Sequence, residues 1–152
     1  MKTLVVFDST YGNTETVAKA IGGSFLGDVK VLRASEAAGA VAGVDLLIAG
    51  APTNGGRPTP AMVEFLDKIP SDGLKGIKVA AFDTRLTSRF ATLFGYAAGK
   101  IAARLEEKGG QQLVPPEGFF VKKTKGPIAE GEIERAVKWA KGISEKLGTT
   151  AG

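Results

Sequence analysis

The chain of 152 residues has no cysteine and no histidine. These absences remove thiol nucleophiles, disulfides, Cys/His zinc and iron–sulfur ligation, an axial haem histidine and the Ser-His-Asp triad together. Any chemistry is therefore borrowed from a cofactor or built from carboxylates, hydroxyls and amines. Long hydrophobic runs are also missing: Met1-Lys2-Thr3 leads into only Leu4–Phe7 before Asp8, too short for a signal-peptide core, and nothing later approaches a membrane span. The expectation is a cytoplasmic protein without membrane insertion.

What is present suits one ordinary core. Hydrophobic residues make up 43% and charged residues 24% of positions. A formal charge of +4 steers encounters without demanding nucleic-acid binding. One domain over residues 1–148 is expected, with 149–152 as a flexible tail.

Short apolar runs rich in β-formers recur at Leu4–Phe7, Val29–Leu32, Leu46–Ala49 and Val79–Phe82 and read as strands buried on both faces. Helical spacing occupies Thr14–Phe25, Ala61–Ile69, Ala98–Leu105 and a last helix from Glu132, which turns Ile133, Ala136, Val137, Ala140 and Ile143 inward. A fifth strand is expected over Gln112–Val121, interrupted by Pro115-Pro116. Ala34–Gly43 reads as a short helix or a loop. Such alternation predicts an α/β fold, a doubly wound parallel sheet with helices on both faces.

In such sheets ligands bind beyond the carboxyl ends of the strands, which directs attention to three loops. The first, Asp8-Ser9-Thr10-Tyr11-Gly12-Asn13-Thr14, joins a strand to a helix, where N–H groups and hydroxyls converge on an anion at the positive end of the helix dipole. Helix capping by Ser9 or Asn13 is the competing reading, but it needs only one of these residues. Lacking a lysine and having one glycine, the loop is neither a Walker A motif nor a dinucleotide fingerprint.

The run Ser9-Thr10-Tyr11-Gly12-Asn13-Thr14-Glu15-Thr16 resembles the FMN phosphate loop of the flavodoxin family, with Tyr11 where a Thr or Ser often precedes the glycine. The resemblance spans nearly the whole chain and is to the short-chain type. It implies a five-stranded sheet in the order 2-1-3-4-5, FMN as cofactor, and electron carriage between redox partners.

The second loop, Gly50–Pro60, taken alone is a turn. The resemblance puts Pro52, Thr53, Asn54, Gly55 and Gly56 beside flavin N5. There the Asn54-Gly55 or Gly55-Gly56 peptide, made mobile by glycine, would rotate its carbonyl toward N5 on one-electron reduction. The third loop, from Asp83, Thr84 and Arg85 to Phe90, falls at the pyrimidine side. Asp83 and Thr84 would act there through backbone groups, and Arg85 as a cation near N1 and O2.

The chain departs from the best-known flavodoxins in being basic and in having no aromatic residue in the second loop. Trp139 reads as core, and Phe90, Phe94 and Tyr96 as possible ring neighbours. Lys122, Lys123 and Lys125 form the densest basic run, either a solvated strand end or a dock for an acidic redox protein such as a ferredoxin. Two alternatives stand beside the carrier. One is an FMN-dependent quinone or nitro-compound reductase in which Arg57, Tyr11 or Tyr96 orients substrate. The other is a cofactor-free interaction module on the same scaffold.

Overall fold

The structure is a computed structural model that describes residues 1–86 and 96–148. Its strands are β1 (Lys2–Phe7), β2 (Asp28–Arg33), β3 (Leu46–Pro52), β4 (Lys78–Arg85), β5 (Gln111–Gln112) and β6 (Glu117–Phe120). Its α-helices are α1 (Asn13–Gly22), α2 (Pro60–Lys68), α3 (Ala97–Glu107) and α4 (Glu132–Lys146). The strands form one parallel sheet in the order β2-β1-β3-β4-β5, with β6 also paired to β4. This is the doubly wound 2-1-3-4-5 arrangement expected.

The continuous apolar runs arise because alternate side chains enter two separate cores. Leu4 and Val6 of β1, Leu47 and Ala49 of β3, and Val79 and Ala81 of β4 pack with Met62, Phe65 and Leu66 of α2 and Ile101 and Leu105 of α3. On the opposite face Val5, Phe7, Leu46, Ile48, Ala80 and Phe82 meet Val17, Ala18 and Ile21 of α1 and Ala136, Ala140 and Ile143 of α4. Burial of one Leu- or Ile-sized side chain contributes about 1.5–3 kcal/mol relative to exposure, so this double lining is the main source of cohesion.

Several boundaries differ from the sequence expectation, each for a physical reason. β2 is only partly buried because it is an edge strand with β1 as its neighbour in the sheet. α1 stops at Gly22 instead of running to Phe25, and an added Cβ at Gly22 would lie 2.4 Å from Val31, so glycine lets the helix end approach β2. Ala34–Gly43 contains two 3-10 turns, Ala34–Glu36 and Ala38–Ala40.

The expected fifth strand is two short segments on β4, separated by the exposed Pro115-Pro116, which have no N–H to give to a ladder. β4 itself outruns its apolar core. Its last residues Asp83, Thr84 and Arg85 pair with β3 and β6, so they lie in the strand rather than in the loop expected there.

Trp139, expected in the core, is partly buried against it: its ring meets Phe82 and Phe119 edge-to-face at 6.1 and 5.9 Å. Val137, expected to face inward, is only partly buried. Phe90, Phe94 and residues 149–152 lie outside the described residues.

Candidate functional site

The carboxyl ends of β1, β3 and β4 converge on an open cleft. One wall is the loop between β1 and α1, contributing Ser9, Thr10, Tyr11, Asn13 and Thr14. The other carries Pro52, Thr53 and Asn54 after β3, and Thr84 and Arg85 of β4. These expected residues are brought together from chain positions far apart by the parallel order of the strands.

The first loop is not organised as a helix cap. Gly12, the residue before α1, has φ +94°, a left-handed conformation that glycine adopts freely, and no side chain caps the helix. Ser9 Oγ instead accepts the Gly12 N–H at 3.0 Å, and Thr16 Oγ1 donates to the Gly12 carbonyl at 2.9 Å. Thr14 Oγ1 shares a buried 2.8 Å hydrogen bond with Thr84 Oγ1. Helices begin with N–H groups that lack intrahelical acceptors, so an uncapped start ringed by hydroxyls is suited to an oxyanion.

Arg33, at the end of β2, braces this loop. It donates to the Ser9 carbonyl at 3.2 Å and to Glu15 at 3.2 Å, lies 3.8 Å from Asp8, and covers the Phe7 ring. The side-chain hydrogen bond from Lys19, followed by the charges of Lys19 and Arg33, holds the Glu15 carboxyl below its ordinary range. Arg33 was missed in the sequence because its role depends on β2 lying beside β1.

The second loop closes as a tight reverse turn. Asn54 and Arg57 exchange both backbone hydrogen bonds, at 2.8 and 3.0 Å, and Gly55 and Gly56 between them have φ of +56° and +79°. Positive φ at both central positions is the type I′ geometry that favours glycine. Lys100 Nζ from α3 donates to the Gly56 carbonyl. Thr53 Oγ1 accepts the Ala97 N–H at 3.0 Å, so its hydroxyl anchors the start of α3 while the residue also lines the cleft.

Asp83 is fully buried and stands behind the cleft, not on it. Its carboxylate accepts from Arg85 Nε at 2.7 Å, from Arg85 Nη2 at 2.9 Å and from the Ala98 N–H at 2.9 Å. Gly12, Gly55 and Gly56, expected at the site, contribute its turns and not its lining. Tyr11 is half-exposed on the rim, with Lys125 Nζ 5.9 Å from its ring. Tyr96 stacks on the Arg85 guanidinium, 3.4 Å from the ring centroid.

Leu86, Val121 and Thr124 also line the cleft and were not singled out in the sequence. The available signal was position alone: they follow the carboxyl ends of β4 and β6, where ligands bind in such sheets. The segment after β6 packs close to the first loop. A Cβ added at Gly126, where φ is +102°, would lie 2.6 Å from Asn13 Oδ1.

Among the described residues no cluster of metal-ligating side chains is present, and no helix is long and apolar enough to cross a membrane. The wall of the cleft formed by the first loop presents neutral hydroxyl and amide groups, and Arg85 stands on the other wall.

Comparison with known proteins places the chain in a family. The family model described as flavodoxin matches residues 5–139. A curated flavodoxin from Maridesulfovibrio salexigens is 29% identical over 154 residues, covering 96% of this chain and 99% of that protein. Among solved structures, a flavodoxin from the domain Archaea superposes with a TM-score of 0.81 at 24% identity, covering 97% of this chain and 99% of that one. Flavodoxin 2 from Bacillus cereus gives 0.77 at 24% identity, over 96% and 99%. The chain belongs to the flavodoxin family of FMN-binding electron-transfer proteins.

Proposed function

We propose that this flavodoxin shuttles electrons between soluble redox proteins, at least one of them acidic, with FMN held in the cleft between the first loop and the turn at Asn54–Arg57. The observation carrying the assignment of the cofactor's seat is the uncapped, hydroxyl-lined start of α1 facing the same cleft as Asn54, Thr84 and Arg85. Ser9, Thr10, Asn13 and Thr14 fit a phosphate monoester because they offer neutral donors at the positive end of a helix. FMN supplies the redox chemistry, and the protein supplies binding, orientation and electrostatics.

The chain's own residues divide that work. Arg33 and the Thr14–Thr84 hydrogen bond keep the phosphate loop in shape before anything binds. The glycine turn offers a peptide that can rotate at low cost. Lys122, Lys123 and Lys125, exposed beside Thr124 of the cleft, form the docking patch for an acidic partner and raise the encounter rate by electrostatic steering.

A reductase acting on small molecules is the second reading. It is favoured by one observation: among the described lining residues Tyr11 is the single aromatic, and it is half-exposed on the rim. Anaerobic stepwise reduction of the FMN-reconstituted protein distinguishes the two. The carrier reading expects one FMN per chain and an accumulating one-electron-reduced species. Passage directly to the two-electron-reduced form, together with turnover of a quinone by a nicotinamide donor, would replace it with the reductase.

A further inference from the structure

An arginine at the end of a strand ordinarily extends into water, yet the Arg85 side chain is only 16% exposed. Three neighbours hold it on the sides away from the cleft. Asp83 grips it through Nε and Nη2, and the Tyr96 ring lies 3.4 Å from its carbon centre. Gly118 of β6 runs close beside it: a Cβ there would fall 2.0 Å from Nε and 2.1 Å from Cζ. Gly118 is fixed in turn by Arg135, whose Nη2 donates to the Gly118 carbonyl.

This packing matters because Arg85 is the one charged residue among the described residues lining the cleft. A guanidinium has five N–H donors, and Asp83 engages two of them. The carboxylate does not simply cancel the cation. Asp83 lies behind it, fully buried, and also accepts the Ala98 N–H at the positive end of the α3 dipole, which offsets part of its charge. The cleft therefore faces a fixed cation whose rotameric freedom is already lost, the arrangement in which electrostatic stabilisation needs no reorganisation.

Resting on the FMN reading above, we propose that Arg85 sets the potential of the cofactor's final reduction by favouring the negative charge that reduction brings into the cleft, and that Gly118 is required because only glycine leaves the guanidinium its seat. Arg85 is here a positioning and tuning group; electron transfer itself belongs to the flavin.

The test is potentiometry of the FMN-loaded protein together with FMN affinity of the apoprotein, in wild type, Gly118→Ala, Arg85→Gln and the double variant Asp83→Asn/Arg85→Gln. Gly118→Ala keeps every charge, and the nearest atoms its Cβ meets are those of the Arg85 guanidinium. The double variant keeps the net charge and avoids an unpaired buried carboxylate. Each is expected to lower the last reduction potential by the equivalent of a roughly tenfold loss of preference for the reduced cofactor, about 59 mV per one-electron step. Affinity for oxidised FMN is expected to change less. Wild-type potentials in both Gly118→Ala and the double variant would overturn the proposal even though FMN binds. Failure of the wild-type chain to bind FMN would instead overturn the cofactor reading, and this proposal with it.

Discussion

Thr14 and Thr84 stand 70 residues apart, and their hydroxyls meet at 2.8 Å in a buried hydrogen bond that ties the first turn of α1 to the end of β4. A hydroxyl at this depth is costly to leave unpaired, at roughly 1–3 kcal/mol. Thr84→Val orphans the Thr14 hydroxyl and is expected to destabilise the apoprotein by that amount. Thr14→Val/Thr84→Val should cost less than the sum of the single changes, because both partners are then replaced by groups of the same shape. Urea denaturation of all four proteins checks this; strict additivity would contradict the pairing.

Gly50 pairs in register with Phe82, and a Cβ there would lie 2.2–2.4 Å from the Phe82 ring. That ring cannot simply swing aside, since it meets Phe119 at 6.2 Å and Trp139 at 6.1 Å. Gly50→Ala is expected to cost about 1–3 kcal/mol by overpacking. A melting temperature lower by several degrees, with loss of near-ultraviolet dichroism from Trp139, is the signature.

Glu132 binds Arg135 and accepts the Phe120 N–H at 2.8 Å, joining α4 to β6. The Arg135 hydrogen bond, followed by that backbone N–H and the Arg135 charge, holds its carboxyl below the ordinary 4.5 despite partial burial. A pKa lowered on folding contributes stability that is fully present above the unfolded value and is lost as pH falls through the folded one. Glu132→Gln should therefore be less stable than wild type near neutrality, with the gap closing in acid below the ordinary carboxylate range. Unfolding midpoints at the two pH extremes give the comparison, and a gap that widens in acid contradicts the sign.

The turn at Gly55-Gly56 is type I′, and rotating its central peptide would carry it toward type II′, where the first central residue again needs φ above zero but with a ψ that an L side chain avoids. Gly55→Ala meets nothing within 4 Å, so its strain is conformational, about 1–2 kcal/mol. It should hold the turn in its present form. Less one-electron-reduced FMN is expected during stepwise reduction; an unchanged yield would remove peptide rotation from the account.

Charge reversal at Lys122, Lys123 and Lys125 should slow electron exchange with an acidic partner several-fold at low salt while leaving FMN potentials alone. Stopped-flow rates at increasing ionic strength provide the readout, because screening should bring wild type and variant together.

The apolar cores of β1, β3 and β4 were legible in the sequence because burial on two faces demands unbroken hydrophobic runs. The end of β4 was not. Asp83, Thr84 and Arg85 look like loop residues until their partners are known, and those partners, Ala98, Thr14 and Gly118, come from three other elements. The first loop was readable from its density of hydroxyl and amide groups, whereas its brace, Arg33, is visible only once β2 is set against β1. Thr124 was hidden by the lysines around it, which directed attention to charge.

The break between β5 and β6 also bears on how copies of this protein behave toward one another. An unbroken fifth strand would leave a row of unpaired backbone groups on the outer margin of the sheet, a template for pairing with a second chain. Here two exposed prolines, Pro115 and Pro116, interrupt that margin and present no N–H, so the flank is a poor seed for intermolecular β-structure. Replacing both prolines would remove this safeguard against aggregation along with a boundary between strands.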